Sequence, residues 1–315
     1  MYKKIFITGG TGFIGSNVVK KLFELGYELT VLDNNTRGKA NRIKNIIDKI
    51  HYVEGDIRNK DLVISSSKGC DLIIHLAYIN GTKFFYEKPF EVLDVATKGM
   101  NNILDSMELN NIDKMILASS SEVYNQPKKI PTDEKVELFI PDVFNPRFSY
   151  GGGKIISELL AINYAAQKNK KVIVFRPHNV FGPDMGNEHI IPELLNKLQL
   201  NLDKKIVDLE IQGSGNETRA FIYIDDFVDG LIKIMHEGEY NNIYNIGTED
   251  EVSINTVVNL IAKALDIKIN LIPSSLKQGS TNRRCPDITK IKNIGFMPMT
   301  SLQDGLAKTI SWYIK

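Results

Sequence analysis

The stretch "RFSYGGGKIISE" (147–158) places a tyrosine and a lysine four residues apart. On a helix, residues i and i+4 share a face, so Tyr150 and Lys154 would point the same way, one turn apart. A phenol with a pKa near 10 is a poor base at neutral pH. Lowering it by about three units takes roughly 4 kcal/mol of differential stabilisation of the phenolate. A lysine ammonium and a second cation held close by are the groups that supply it. The spacing therefore suits a tyrosine base with a lysine helper. Between them stand Gly151, Gly152 and Gly153, although each interior glycine costs a helix about 1 kcal/mol relative to alanine.

A second constellation opens the chain, in "ITGGTGFIGSNVVKKL". Gly9, Gly12 and Gly15 follow an apolar strand and start a helical period. The first permits a tight turn, the second lets a pyrophosphate approach the backbone, and the third lets helix and strand pack closely. The helix N-terminus then faces the phosphates. Asp33, 18 residues beyond Gly15, ends the next strand, where a carboxylate can accept hydrogen bonds from an adenosine ribose. That favours NAD over NADP, whose 2′-phosphate a carboxylate repels, with Arg37 nearby as the counter-indication. Asp56, ending "VEGDIR", is either a contact for the adenine edge or a strand-end turn residue. Phe13, Ile14, Asn34, Ile57, Leu76 and Ala77 flank these positions and are expected to line the same cofactor.

These residues need rigid elements to hold them. Apolar, β-branched runs at 4–8, 28–33, 49–56, 71–77, 114–121 and 171–177 alternate with helical periods, which is the pattern of a parallel sheet covered on both faces. The fold class expected is α/β: a doubly wound Rossmann sheet with a smaller C-terminal lobe. Residues 1–177 would form the NAD-binding domain and 178–315 mainly a substrate lobe. The chain would return to the sheet at about 218–247, near "RAFIYIDDF" and "IYNIG". With 315 residues, 43% hydrophobic and 24% charged, the chain can bury a sizeable core. Its 39 basic and 38 acidic residues leave a net charge of +1, which gives no electrostatic case for nucleic acid or a membrane as partner. Cys70 and Cys285 form neither a disulfide framework nor a zinc motif, and the five histidines show no metal spacing. No stretch approaches the ~20 apolar residues of a membrane span. A cytoplasmic protein without a metal is expected.

Seven ordered motifs together resemble the extended short-chain dehydrogenase/reductases that modify nucleotide-diphosphate sugars. "TGGTGFIG" is similar to their TGxxGxxG, "HLAY" (75–78) stands where they have HxAA, and "SSSEVY" (119–124) resembles their S-T/S-x-E-V-Y. Tyr150 and Lys154 match their YxxxK. "RPHNVFGP", "RAFIYIDD" and "RRCPDITK" resemble R-x-x-N-V-x-G-P, R-x-F-x-Y-V-x-D and the R-x-P-D-I-x-K of UDP-glucuronate decarboxylases. The resemblance implies that Ser120 hydrogen-bonds the sugar O4 while Tyr150 takes the O4 proton and the C4 hydride passes to NAD. It also implies that Asn179, Arg219 and Arg284 hold the substrate's phosphates, as arginine forks do. The alternative for the two arginines is surface salt-bridging.

Within that family Glu122 and Ser121 divide the subgroups. A glutamate at 122 marks dehydratases and decarboxylases, as a base near C5 or a group orienting the sugar. Serine at 121 sets the chain apart from glucose-type dehydratases, which have an aspartic acid there, and makes it similar to mannose-type dehydratases and decarboxylases, which have serine. Ala96 departs from the family's usual asparagine. These features suit a GDP-sugar 4-dehydrogenase, such as those acting on heptoses in bacterial capsule pathways. The alternatives are an NDP-sugar 4-epimerase, a mannose-type 4,6-dehydratase, a UDP-glucuronate decarboxylase or a catalytically idle NAD-binding regulator. The partner expected is a GDP- or UDP-linked sugar.

The resemblance further implies a homodimer through the helices at 90–109 and 152–168. Val92, Val95, Met100 and Leu104 on one, and Ile155, Leu159, Ile162 and Ala166 on the other, cover more of the circumference than a single core-facing stripe needs. The glycines after Tyr150 would then leave room for a closely held ligand. If they do not, "NPRFSY" is loop and the helix starts later.

Overall fold

The computed structural model describes residues 2–187, 189–199, 201, 204–275, 279 and 281–314. Six strands, β1 (Lys4–Thr8), β2 (Glu28–Asp33), β3 (His51–Glu54), β4 (Leu72–His75), β5 (Lys114–Ala118) and β6 (Lys171–Pro177), lie in one sheet with a seventh, Asn242–Ile246. The order is Asn242–Ile246, β6, β5, β4, β1, β2, β3, and every neighbouring pair is parallel. The chain winds one way from β1 to β3, then crosses back beside β1 through β4. Ligands of such sheets bind outside the carboxyl ends of the strands at that reversal.

The pleat explains the two-sided core. In β1, Ile5 and Ile7 point to one face and Phe6 to the other; in β4, Leu72 and Ile74 oppose Ile73. On the first face lies helix α1 (Phe13–Glu24), burying Val18, Val19 and Leu22. On the second lie α5 (Met100–Leu109) and α6 (Ser149–Lys168), which share a cluster with Phe6, Ile73, Met115 and Leu117. Ahead of α5 come α2 (Lys60–Ser67), α3 (Thr82–Glu87) and α4 (Pro89–Asp94). A widened turn at Val95–Gly99 joins α4 to α5.

The strand at "IYNIG" joins the main sheet, whereas "RAFIYIDDF" does not. Thr218–Ala220 pairs with Glu251–Ser253 and Arg283–Arg284, Ile222–Tyr223 pairs with Val180–Phe181, and the segment then turns into α7 (Ile224–Glu237). Three strands also stop short of the runs read from the sequence, β3 at Glu54, β4 at His75 and β5 at Ala118. β5 ends at Ala118 because Ser120 accepts a hydrogen bond from the Glu122 backbone and caps a single helical turn, Ser121–Tyr124.

α6 contains all three glycines. Asn145 caps the short turn Pro146–Phe148, which runs directly into Ser149. The helix therefore starts before Tyr150, and the later start is excluded. Left-handed Asn169 (φ 53°) ends it.

Candidate active site

Three connected hollows lie at the carboxyl ends of the strands. The main cleft, about 700 Å³, is lined by Gly9, Gly12, Phe13, Ile14, Gly15, Leu76, Ser120, Ser121, Glu122, Tyr150, Lys154, Asn179 and Arg284. A narrower hollow shares Gly9, Gly12 and Leu76 with it and adds Asp33, Asn34, Asp56, Ile57 and Ala77. A third, about 270 Å³, shares Asn179 and adds Arg219. Each residue expected at a catalytic, cofactor or phosphate position thus lines one of the three.

The glycine turn is built for close approach. Gly9 sits at φ +74°, and a Cβ there would lie 2.6 Å from the Ala77 backbone nitrogen; a Cβ on Gly15 would lie 2.0 Å from the Gly9 carbonyl. Gly12 caps α1 without a side-chain acceptor, so the first turn presents its N–H groups to the cleft. Asp33, buried at the end of β2, accepts the Thr11 and Asn35 backbone N–H groups at 2.9 Å each. These bonds fix its carboxylate at the rim, and each oxygen keeps a lone pair for a ribose hydroxyl. Asp56 is more heavily engaged: Arg58 forks onto it at 3.0 and 2.7 Å, and Asn34 donates at 3.0 Å. The Arg58 hydrogen bonds hold its carboxyl below the usual range. The turn, the helix N-terminus and the rim carboxylate fit a dinucleotide, which supplies the hydride acceptor when bound.

At the cleft floor, Tyr150 is buried beside Ser120. Its ring stacks on Phe85 at 4.7 Å and meets Tyr78 edge-on at 5.1 Å. Burial pushes the phenol up to about 12, with Ser120 pulling the other way. Burial pushes Lys154 down to about 7. Its Nζ donates to the Ala118 carbonyl at 2.7 Å and lies 3.9 Å from the Tyr78 ring centre. Bringing a phenol from about 12 to neutral pH takes about five units, or roughly 7 kcal/mol. That exceeds the requirement read from the sequence, because the fold adds desolvation to the phenol's intrinsic weakness. The ammonium alone has to be joined by the cofactor's positive charge.

Glu122 is clamped. Arg284 donates to its Oε1 at 2.7 Å and Arg147 to its Oε2 at 2.8 Å, with all three side chains largely buried. Burial alone would push this carboxyl up, but the two guanidiniums outweigh it and hold it at about 2. Arg284 is therefore not a surface ion-pair residue; it is one jaw of this clamp, facing the cleft. Arg219 donates to the Thr218, Asn282 and Thr281 carbonyls. Burial, with Arg284 adding to it, lowers its pKa to about 10. Asn179, at φ +40°, donates to the Ala220 carbonyl at 3.0 Å.

Sequence reasoning missed Arg147, Phe85 and Tyr78. Arg147 lies three residues before Tyr150, a spacing that would have signalled it. Tyr78 was visible as the large residue closing "HLAY". The reason for the glycines also needs correcting, since protein rather than ligand fills the space beside them. A Cβ would meet the Glu122 carbonyl at 3.1 Å from Gly151, Ile140 Cδ1 at 3.3 Å from Gly152, and the Tyr78 hydroxyl at 2.1 Å from Gly153.

The sheet, the glycine turn and the Ser–Tyr–Lys floor define an NAD-dependent enzyme of the extended short-chain dehydrogenase/reductase fold. The chain belongs to the NAD dependent epimerase/dehydratase family, whose profile matches residues 5–247. It is 32% identical to a putative UDP-glucose 4-epimerase of Methanocaldococcus jannaschii, over 98% of this chain and 97% of that one. It is also 32% identical to the UDP-N-acetyl-alpha-D-glucosaminuronate decarboxylase of Bacillus cytotoxicus, over 99% and 98%. Among solved structures, the UDP-glucose 4-epimerase of Thermotoga maritima with UDP-glucose superposes with a TM-score of 0.87 at 26% identity, covering 98% of both chains. The dTDP-glucose 4,6-dehydratase of Bacillus anthracis in complex with NAD gives 0.84 at 25%, covering 99% and 96%. The protein is accordingly an enzyme whose cofactor is NAD and whose substrate is a nucleotide-linked sugar.

Proposed function

We propose that the enzyme oxidises C4 of a nucleotide-diphosphate sugar and releases the 4-keto sugar, acting as a 4-dehydrogenase on a GDP-linked sugar such as a heptose. Tyr150 takes the O4 proton, Ser120 orients O4, Lys154 holds the phenolate, and the hydride from C4 leaves to NAD, so that one sugar is oxidised for each cofactor reduced. Asn179, Arg219 and the cationic side of the Arg284 clamp suit the diphosphate.

The observation carrying the end point is Glu122. A carboxyl held at about 2 with both oxygens bonded to guanidiniums is a feeble base, and Ser121 offers no acid for a departing C6 hydroxyl. Elimination across C5 and C6 is therefore poorly served by Glu122, whereas oxidation at C4 needs no base at that place. A second reading, decarboxylation of a UDP-linked uronic acid, is favoured by the same clamp. Two guanidiniums against one carboxylate leave a net positive charge beside Ser120 that suits a sugar carboxylate, and a β-keto acid loses carbon dioxide without a base.

The test is incubation with a panel of GDP- and UDP-linked hexoses, heptoses and uronic acids, following reduced-nicotinamide absorbance and the product mass. A stoichiometric rise with a 4-keto product supports the proposal. Loss of carbon dioxide selects the second reading, and loss of water refutes the argument from Glu122.

A homodimer through the same two helices is part of the same proposal, although only some of the residues read from the sequence face outward. Val92, Val95, Met100 and Leu104 are buried in the core, so they leave no second face. The outward apolar residues are Phe90 on α4, Ile156 and Leu159 on α6, and Val143 and Phe144 in the preceding loop. Cytoplasmic residence is proposed on the two cysteines, which are both buried and unpaired. Among the described residues no helix is long and apolar enough to cross a membrane.

A further inference from the structure

Three residues past β4 the chain places a large aromatic residue, Tyr78, against the catalytic helix. Its ring lies 3.9 Å below the Lys154 ammonium and edge-on to Tyr150, with ring centres 5.1 Å apart. Its hydroxyl is buried and has no hydrogen-bond partner among the described residues. The slot that admits it is made by absent side chains. A Cβ at Gly153 would lie 2.1 Å from the Tyr78 hydroxyl and 3.0 Å from the Ala96 methyl, and Ala96 itself sits in the widened turn between α4 and α5. An ammonium over a desolvated aromatic face is attracted by the ring quadrupole. With the Ala118 carbonyl on another side at 2.7 Å, Lys154 is held between two fixed partners while still lining the cleft.

We propose that Tyr78 is a positioning residue of the hydride-transfer site: its ring seats the Lys154 ammonium and braces the Tyr150 ring, and the small residues Gly153 and Ala96 are what admit it. This rests on the reading of Tyr150 and Lys154 as base and helper. It also accounts for the third glycine of the run, whose cost to the helix is offset by the ring it lets in. The groups facing the ammonium are Glu158 one turn along α6, which favours its charge; His75 of β4, kept neutral by burial with a pKa of about 3; and the phenols Tyr78 and Tyr150. Of these, Tyr78 alone touches both members of the catalytic pair face or edge on.

Two readouts test it. Tyr78→Leu keeps apolar bulk and removes the π face. It is expected to lower kcat about ten-fold or more, with KM for NAD and sugar nucleotide within about three-fold, and to move the alkaline limb of the kcat profile to lower pH by up to about one unit, as the ammonium loses its seat. The conservative variant Tyr78→Phe is expected to rescue both rate and limb. The second readout needs no turnover. Gly153→Ala is expected to lower the thermal midpoint by several degrees (~4 °C or more) in the otherwise native chain, despite alanine's better helix propensity, and to be neutral or stabilising beside Tyr78→Ala. A Tyr78→Leu enzyme with native kcat and pH limb overturns the proposal, as does a Gly153→Ala effect that is the same with and without Tyr78. If the native enzyme oxidises no sugar nucleotide while the Gly153–Tyr78 coupling stands, the functional reading has failed and the packing has not.

Discussion

The Glu122 clamp is a quantitative commitment. Its carboxyl lies at about 2 against an ordinary value of 4.5, about 2.5 units, or roughly 3 kcal/mol of preference for the ionised form in the folded state. The side chain keeps 23% exposure, so solvent trims this somewhat. Two guanidiniums share the work at 2.7 and 2.8 Å, and removing one forfeits about half. Arg147→Met should therefore destabilise the protein by roughly 1 to 2 kcal/mol at neutral pH, and the same substitution in a Glu122→Gln background should cost far less. The pH dependence has a definite sign. A carboxyl whose folded pKa is depressed contributes stability above its unfolded pKa of about 4.5 and loses it as pH falls through about 2. The Arg147→Met deficit should thus be complete above about pH 5 and shrink as the solution is acidified below that. Urea denaturation of the four chains of the cycle, at neutral and mildly acidic pH, measures both effects. A coupling below about 0.5 kcal/mol, within the usual error of additivity, or a deficit that ignores pH, refutes the clamp.

Other expectations follow from the same geometry. Tyr150→Phe removes the base while its ring still stacks on Phe85, so NAD binding should persist by calorimetry and hydride transfer should vanish; turnover within a few-fold of native would remove Tyr150 from the mechanism. Asp33→Ala takes away the rim carboxylate fixed by Thr11 and Asn35, and equilibrium titration should show weaker NAD binding and relaxed discrimination against NADP. An unchanged preference would move the ribose contact elsewhere. Arg219→Ala should raise the sugar nucleotide's dissociation constant about ten-fold or more, the worth of a charge-assisted hydrogen bond, with little effect on NAD; the reverse pattern would assign Arg219 to holding its three carbonyls. Sedimentation velocity at micromolar concentration should show a dimer that Leu159→Glu converts to monomer, whereas a native monomer would leave Phe90 and Leu159 without a partner.

What the sequence determined is what neighbouring residues decide among themselves. Alternation in "KIFIT" splits Ile5 and Ile7 from Phe6 across the sheet, the glycine spacing makes the turn before α1, and the helical repeat brings Tyr150 and Lys154 to one face. Each depends on backbone geometry over a few residues, so each is legible without knowing the neighbours. Tertiary structure decided the environment of those groups. Glu122 meets Arg147 across 25 residues and Arg284 across 162, and those meetings turn a candidate base into a locked carboxylate. Burial, which no local pattern measures, moved Tyr150 up and Lys154 down. Val92, Val95, Met100 and Leu104 read as excess apolar surface because a repeat reports which face is apolar and not how many elements cover it; α6 and the sheet cover theirs. The three glycines make the same point. Their cost is a property of the helix alone, and the carbonyl, methyl and phenol that offset it arrive from three other parts of the chain.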